Sequence, residues 1–279
     1  MIFDTFMYNG EEDILDIRLH TLEPFVDKFI ILESPKSHSL IPRELEFKKQ
    51  QSRFSKFLNK IDYYSIDYCD NSNFLLNDWK AREVISDIIF QYKLNNSDII
   101  IHGDLDEIPR PECLQKIVSE NFSKPYTLMI DSRQLCFDLE LTELRHNRIK
   151  GNFPGSIIIK GEHLLHNKLF WLRQIRMNNI INGIDYKDTF NLVENAGWHF
   201  SYCAGIDRTV DKFKFFCHAD EMPNCVKDRD GLINCIKNKT SFGIDKQSLS
   251  LVPWELCNFP EYIYNNPELF KENLSFYYK

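Results

Sequence analysis

The sequence predicts an α/β fold: a Rossmann-like, largely parallel central sheet flanked by helices, followed by a less regular second half. Three observations predict it. Short β-branched runs alternate with amphipathic stretches of helix length over the first hundred residues. Ile99, Ile100 and Ile101 suit a strand buried on both faces, as in parallel sheets. That run ends in His102 and Gly103, and then Asp104, Asp106 and Glu107 crowd three carboxylates into four positions. The carboxyl end of a central strand is where open α/β sheets bind ligands.

Residues 2–8 (I-F-D-T-F-M-Y) read as the first strand, turned by Asn9 and Gly10. Glu11, Glu12 and Asp13 place negative charge in the first turn of a helix, where the dipole favours it. Ile14, Leu15, Ile17, Leu19 and Leu22 supply its apolar face and Pro24 ends it. A second strand over 29–32 delivers Glu33 and Ser34, completing a βαβ unit with parallel strands. Residues 45–58 read as a basic helix and 60–66 as a third strand. Asp78 is placed to cap an amphipathic helix over 79–94, and the isoleucine strand follows. Pro109 and Pro111 are expected to stop regular structure after it.

In the second half, 126–130, 135–139, 156–160 and 196–203 read as strands. Phe170, Trp171 and Leu172 form an aromatic patch or a further strand. Residues 206–217 read as a helix delivering His218, Asp220 and Glu221 to its end, with a shorter helix over 228–238. The organisation expected is one domain over 1–279, with a nucleotide-binding half (1–125) and a second half (126–279).

The chain of 279 residues, 43% hydrophobic, is long enough for one large core. A net charge of −7 argues against nucleic acid or an anionic membrane as the main partner. Eight cysteines without a C-x-x-C pair read as reduced, mostly structural thiols, the alternative being a disulfide or zinc role. The N-terminus has no signal-like pattern and no apolar run approaches the ~20 residues of a membrane span. A cytoplasmic protein is therefore expected; oligomeric state is not fixed.

Crowded carboxylates repel, and a cation relieves them; hard oxygen ligands favour magnesium, manganese or calcium. Asp104 and Asp106, two apart at a strand end, can face the same ion. The plain alternative is a solvated acidic turn. His218 and Asp220 read either as a helix end or as a third metal ligand with a carboxylate near the reacting centre. Trp198 and His199, in G-W-H-F-S, read as a buried strand or as a sugar platform with hydrogen-bonding neighbours. Tyr8, Asn9 and Glu33, at strand ends, read either as ordinary turn residues or as groups that the sheet presents to a base and ribose. His102, beside an apolar strand, reads as a hydrogen-bonded core histidine.

The ordered segments D-T-F-M-Y-N-G-E-E-D-I-L-D-I-R-L, V-D-K-F-I-I-L-E-S, D-L-D-E-I-P-R-P, G-W-H-F-S-Y and K-F-K-F-F-C-H-A-D span about four-fifths of the chain. Together they resemble glycosyltransferase family 17, which includes the transferase that adds bisecting N-acetylglucosamine. The resemblance implies a GT-A-type fold, a UDP-sugar donor, Mn²⁺ or Mg²⁺, inversion at the anomeric carbon and a glycan acceptor. The two halves become a nucleotide-sugar-binding half and an acceptor-side half. Asp104 and Asp106 match the family's D-x-D and Glu107 its following acid; Trp198 and His199 match G-W-H; His218 and Asp220 match H-x-E, with Asp for Glu. Metal ligation is therefore expected from Asp104, Asp106 and His218, and acceptor contacts from Trp198 and His199. Asp220 is the expected base, with Glu221 and Glu107 behind it. The nucleotide is expected on Tyr8, Asn9, Glu33 and Asp104. The family's Arg in the helix before D-x-D falls about where Ser86 stands, and Arg82, one turn earlier, is expected to substitute. The membrane anchor of the family's animal enzymes is not expected in this sequence. Two rival readings remain at this stage, a metal-dependent nucleotidyltransferase and a non-catalytic glycan-binding protein on a decayed transferase scaffold.

Overall fold

The computed structural model describes residues 1–142, 152–176, 180, 181, 183–219, 226, 228–242 and 247–278. The first half runs β1 (Ile2–Met7), α1 (Glu12–Leu22), β2 (Lys28–Glu33), α2 (Glu46–Gln50), β3 (Ile61–Ser65), α3 (Phe74–Phe90), β4 (Ile99–His102), β5 (Glu107–Pro109) and α4 (Pro111–Ser119). The second carries β6 (Tyr126–Gln134), β7 (Leu139–Leu141), β8 (Asn152–Lys160), α5 (Gly161–His166), α6 (Leu169–Ile175), β9 (Ile180–Ile181) and β10 (Ile184–Asp185). After these come β11 (Asn191–Val193), β12 (Gly197–Ser201), α7 (Ile206–Phe215), α8 (Arg229–Asn238), β13 (Leu249–Leu251) and α9 (Glu261–Asn265).

The sheet is ordered β13-β7-β6-β8-β4-β1-β2-β3. β3, β2, β1 and β4 are parallel throughout, as their βαβ connections require. β8 then inserts antiparallel between β4 and β6, so strands from both halves share one continuous sheet. Phe3, Ile30 and Ile100 face one apolar layer, under Ala81, Ile85 and Ile88 of α3. Phe6, Ile31 and Ile101 face the other, against Ile14, Leu15 and Leu19 of α1. Burial on both sides is why these strands read as unbroken apolar runs. No described helix is long and apolar enough to cross a membrane.

Five expectations change. α3 begins at Phe74, four residues before Asp78, and its cap is Asn73, whose side chain accepts from the Leu75 amide. Asp78 therefore lies inside the helix. The proline segment is not irregular. It forms β5, and Pro111 opens α4, where its missing N–H costs nothing. Residues 126–134 make one long strand, and Phe170, Trp171 and Leu172 belong to the helix α6. Helix α2 is only five residues and passes into a 3-10 stretch, Gln51–Phe57.

Candidate active site

The carboxyl ends of β1 and β4 open onto a cavity of about 640 Å³. Gly103 makes the turn there because nothing larger fits: a Cβ would lie 2.0 Å from Ser156 Oγ and 2.7 Å from Glu107 Oε2. The segment that follows is gripped from behind by Arg18, on the buried face of α1. Arg18 Nε and Nη2 donate to the two oxygens of Asp4 at 2.8 and 2.7 Å. Its Nη1 donates to the carbonyls of Asp104, Leu105 and Glu107 at 2.8–3.1 Å. One buried ion pair thus fixes three backbone carbonyls of the acidic loop.

In front of the loop, charges alternate. Arg82 Nη2 donates to Asp78 Oδ1 at 3.1 Å and to Asp104 Oδ1 at 2.9 Å. Arg173, from α6, donates to Asp104 Oδ2 at 3.0 Å and grips both oxygens of Glu107 at 2.6 and 2.8 Å. Asp104 is 37% exposed. Burial pushes its carboxyl up, but Arg82 and Arg173 prevail and hold it well below the usual carboxylate range. On the other side, Lys212 of α7 donates to Asp106 Oδ2 at 3.0 Å and pairs with Glu11 at 3.0 Å. Burial opposes the Lys212 charge; Asp106 and Glu11 outweigh it and raise that ammonium well above its ordinary value.

Asp104, Asp106, Tyr8, Asn9, Arg82, His199 and His218 all line the cavity. Three other candidates do not. Trp198 faces the core: it is 3% exposed, its indole N–H donates to the Asn258 carbonyl at 2.8 Å, and the Arg110 guanidinium stacks on it at 4.2 Å. The period-2 alternation of β12 turns His199 to the cavity and Trp198 away. Glu33 is fully buried and accepts from the first amides of α2, Glu46 and Phe47, and from the Tyr63 hydroxyl. Glu107 is fully buried and saturated by Arg173 and the Asp104 amide, which suits a positioning role better than a base. Asp220 and Glu221 lie outside the described residues. Sequence reading missed Arg18, Arg173 and Lys212. A readable signal existed for two of them: Arg18 and Arg173 interrupt apolar helix faces, and a charge in such a stripe demands a buried partner.

A hard divalent ion takes one or two protein carboxylates and draws its remaining ligands from phosphate and water. Asp106 fits that use. Its Oδ1 accepts no hydrogen bond among the described residues, and His199 Nε2 stands 3.6 Å away. Asp104 and His218 reach the same cavity, but among the described residues they do not gather with Asp106 into a three-ligand cluster.

Among the described residues, the cavity wall carries six cations: Lys36, Arg43, Arg82, Arg173, Arg176 and Lys212. Four carboxylates of described residues face them, those of Glu11, Asp78, Asp104 and Asp106. Among the described residues, the Arg43 guanidinium bonds only the carbonyls of Ser34 and Tyr8, and the Arg176 guanidinium only those of Pro154 and Arg173. Burial, then the neighbouring Arg173 charge, pushes Arg176 down to about 9. An acidic protein has gathered an excess of positive charge where its parallel strands end. That is an anion site with carboxylates at its centre.

Residues 1–145, which include the acidic loop, match glycosyltransferase family 17. The chain belongs to this family. The sequence resemblance to family 17 is thereby upheld, and the protein is a glycosyltransferase. No curated protein matches this glycosyltransferase. Among solved structures, a Bacillus anthracis protein described as a glucose-1-phosphate thymidylyltransferase, in complex with sucrose, aligns at 7% identity and a TM-score of 0.42. That alignment covers 71% of this chain and 88% of the other. The inositol-1-phosphate CTP transferase of T. maritima aligns at 7% identity and TM-score 0.36, over 68% and 77%. Mouse xyloside xylosyltransferase 1 aligns at 11% identity and TM-score 0.31, over 62% and 73%. Likeness this distant assigns no chemistry to the glycosyltransferase.

Proposed function

We propose that this glycosyltransferase transfers a sugar, most simply N-acetylglucosamine, from a UDP-sugar to a hydroxyl of a glycan acceptor, using a GT-A-type donor site. The excess of cations around Asp104 and Asp106 carries the reading, since a nucleotide diphosphate is the anion such a wall suits. Arg82, Arg173, Arg176 and Arg43 bind the diphosphate, and Tyr8 and Asn9 approach the nucleoside. His199 approaches the transferred sugar. Mn²⁺ or Mg²⁺, held by Asp106 with Asp104 in support, would neutralise the leaving diphosphate.

The acceptor oxygen attacks the anomeric carbon from the face opposite the diphosphate. The bond from that carbon to the diphosphate oxygen breaks, the electron pair leaves on UDP, and configuration inverts. The acceptor proton passes to a carboxylate, which we assign to Asp220, two residues beyond the cavity-lining His218. The experiment is calorimetric titration of UDP with Mn²⁺ and with chelator, alongside a screen of UDP-sugars for hydrolysis and transfer. Asp106→Asn is expected to cut turnover by about a hundredfold or more while leaving the protein folded. Full transfer by that variant, or no UDP binding by the unaltered protein, refutes the proposal.

A further inference from the structure

We propose that His38, Asp78 and Cys217 form a second metal site, suited to zinc or a similar borderline transition ion, on the wall of this cavity. A ring nitrogen of His38, a carboxylate oxygen of Asp78 and the Sγ of Cys217 all lie within 4.8 Å of one another. Nitrogen, oxygen and sulfur together are a donor set foreign to magnesium and calcium and natural to zinc. Three protein ligands leave a fourth tetrahedral position for water or a ligand atom. All three residues are half-buried and all three line the cavity, so an ion can reach them.

The three ligands come from the loop after β2, the second turn of α3 and the turn that follows α7. Specific bonds hold those elements in place. Asn77, fully buried beside Asp78, donates from Nδ2 to the His38 carbonyl at 2.8 Å, tying the loop to α3. Ser39 Oγ donates to the Lys214 carbonyl at 3.0 Å, tying the same loop to α7. Arg82 donates from Nε and Nη2 to both oxygens of Asp78, at 3.3 and 3.1 Å. That fixes the carboxylate and leaves it lone pairs for an ion. Metal ligands are characteristically oriented by such outer hydrogen bonds. Asp104 and Asp106, the expected ligands of the hard ion, are not members of this cluster.

The inference rests on the cluster's geometry and does not depend on the transfer reaction. The test uses the full chain, reduced and stripped with a chelator, titrated with Co²⁺ and then with Zn²⁺. One equivalent of Co²⁺ is expected to give a thiolate-to-cobalt charge-transfer band that Zn²⁺ abolishes. Cys217→Ser should remove the band, and His38→Gln should weaken Zn²⁺ binding by at least about tenfold. Circular dichroism and a thermal melt confirm that each variant is folded. UDP titration of the same proteins reads the donor site separately, so failure of either reading leaves the other visible. Absence of the band, its survival in Cys217→Ser, or unchanged Zn²⁺ affinity in both variants overturns the proposal.

Discussion

At the scale of single residues, burial decides which charges are structural. Asp4 and Arg18 are both fully buried, and each has its charge met by the other. Removing one partner strands the second in the core, so Arg18→Met is expected to lower stability by about 3–5 kcal/mol. The same change frees the carbonyls of the acidic loop and should depress donor affinity. Chemical denaturation read beside UDP titration separates the two losses. His102 shows the converse, a base kept neutral. Its Nε2 stands 3.4 Å from Arg82 Nη1 and its Nδ1 2.9 Å from Thr5 Oγ1, which itself donates to the Ile101 carbonyl. Arg82 is the donor to Nε2, which leaves the proton on Nδ1. Burial, then Arg82 and Arg173, hold this ring well below its ordinary 6.5. The unfolded imidazole takes up a proton below about pH 6.5 and the folded one does not. Stability is therefore complete above that pH and declines below it, by up to about 1.4 kcal/mol per pH unit, until the depressed folded value is reached. His102→Gln should flatten that decline by one proton's worth. Unfolding midpoints followed from neutral to mildly acid pH test this, and an unchanged slope would count against it.

At the scale of elements, the site depends on how closely β4 and β8 approach. β4 pairs antiparallel with β8, and Ser156 of β8 donates to the Glu107 carbonyl at 2.9 Å. Gly103→Ala places a methyl group against Ser156 Oγ and the Glu107 carboxylate. A loss of about 1–3 kcal/mol is expected, together with displacement of Asp104. Adding Ser156→Gly should restore part of both stability and UDP binding, because the first clash is with that side chain. If the double variant is no better than the single one, the close approach is not what requires glycine here. Gly197, on β12, faces a backbone carbonyl, that of Ile108, 2.3 Å from the position of its Cβ. Shrinking a side chain offers no such rescue there.

At the scale of the molecule, the formal charge of −7 and the cationic cavity have to be read together. The surface field repels an anionic donor while the local field holds it. Added salt screens exposed charge, with a Debye length of about 8 Å at physiological strength, and screens buried pairs much less. Arg43 and Arg176 meet only carbonyls among the described residues, so UDP affinity is expected to fall several-fold as salt rises from low to about half-molar. Arg176→Gln should lower affinity at low salt and flatten that dependence. Titration of both proteins across the salt series checks it; affinity that rises with salt contradicts it.

The sequence by itself determined the parallel half, the place of the acidic loop at a strand end and membership of family 17. Those features are local or repetitive: a β-branched run, a helical stripe, a motif of consecutive residues. The helix begun by Asn73 rather than Asp78, and the helical setting of Trp171, were hidden because flanking residues carry equally good local signals for the alternative. Tertiary structure alone decided the rest. It turned Trp198 into the core and His199 to the cavity, and it made Glu33 and Glu107 into fastenings. It also brought Arg18, Arg173 and Lys212 onto a loop between 66 and 106 positions away. A buried charge is specified by its partner, and partners far apart in sequence meet only when strands and helices pack.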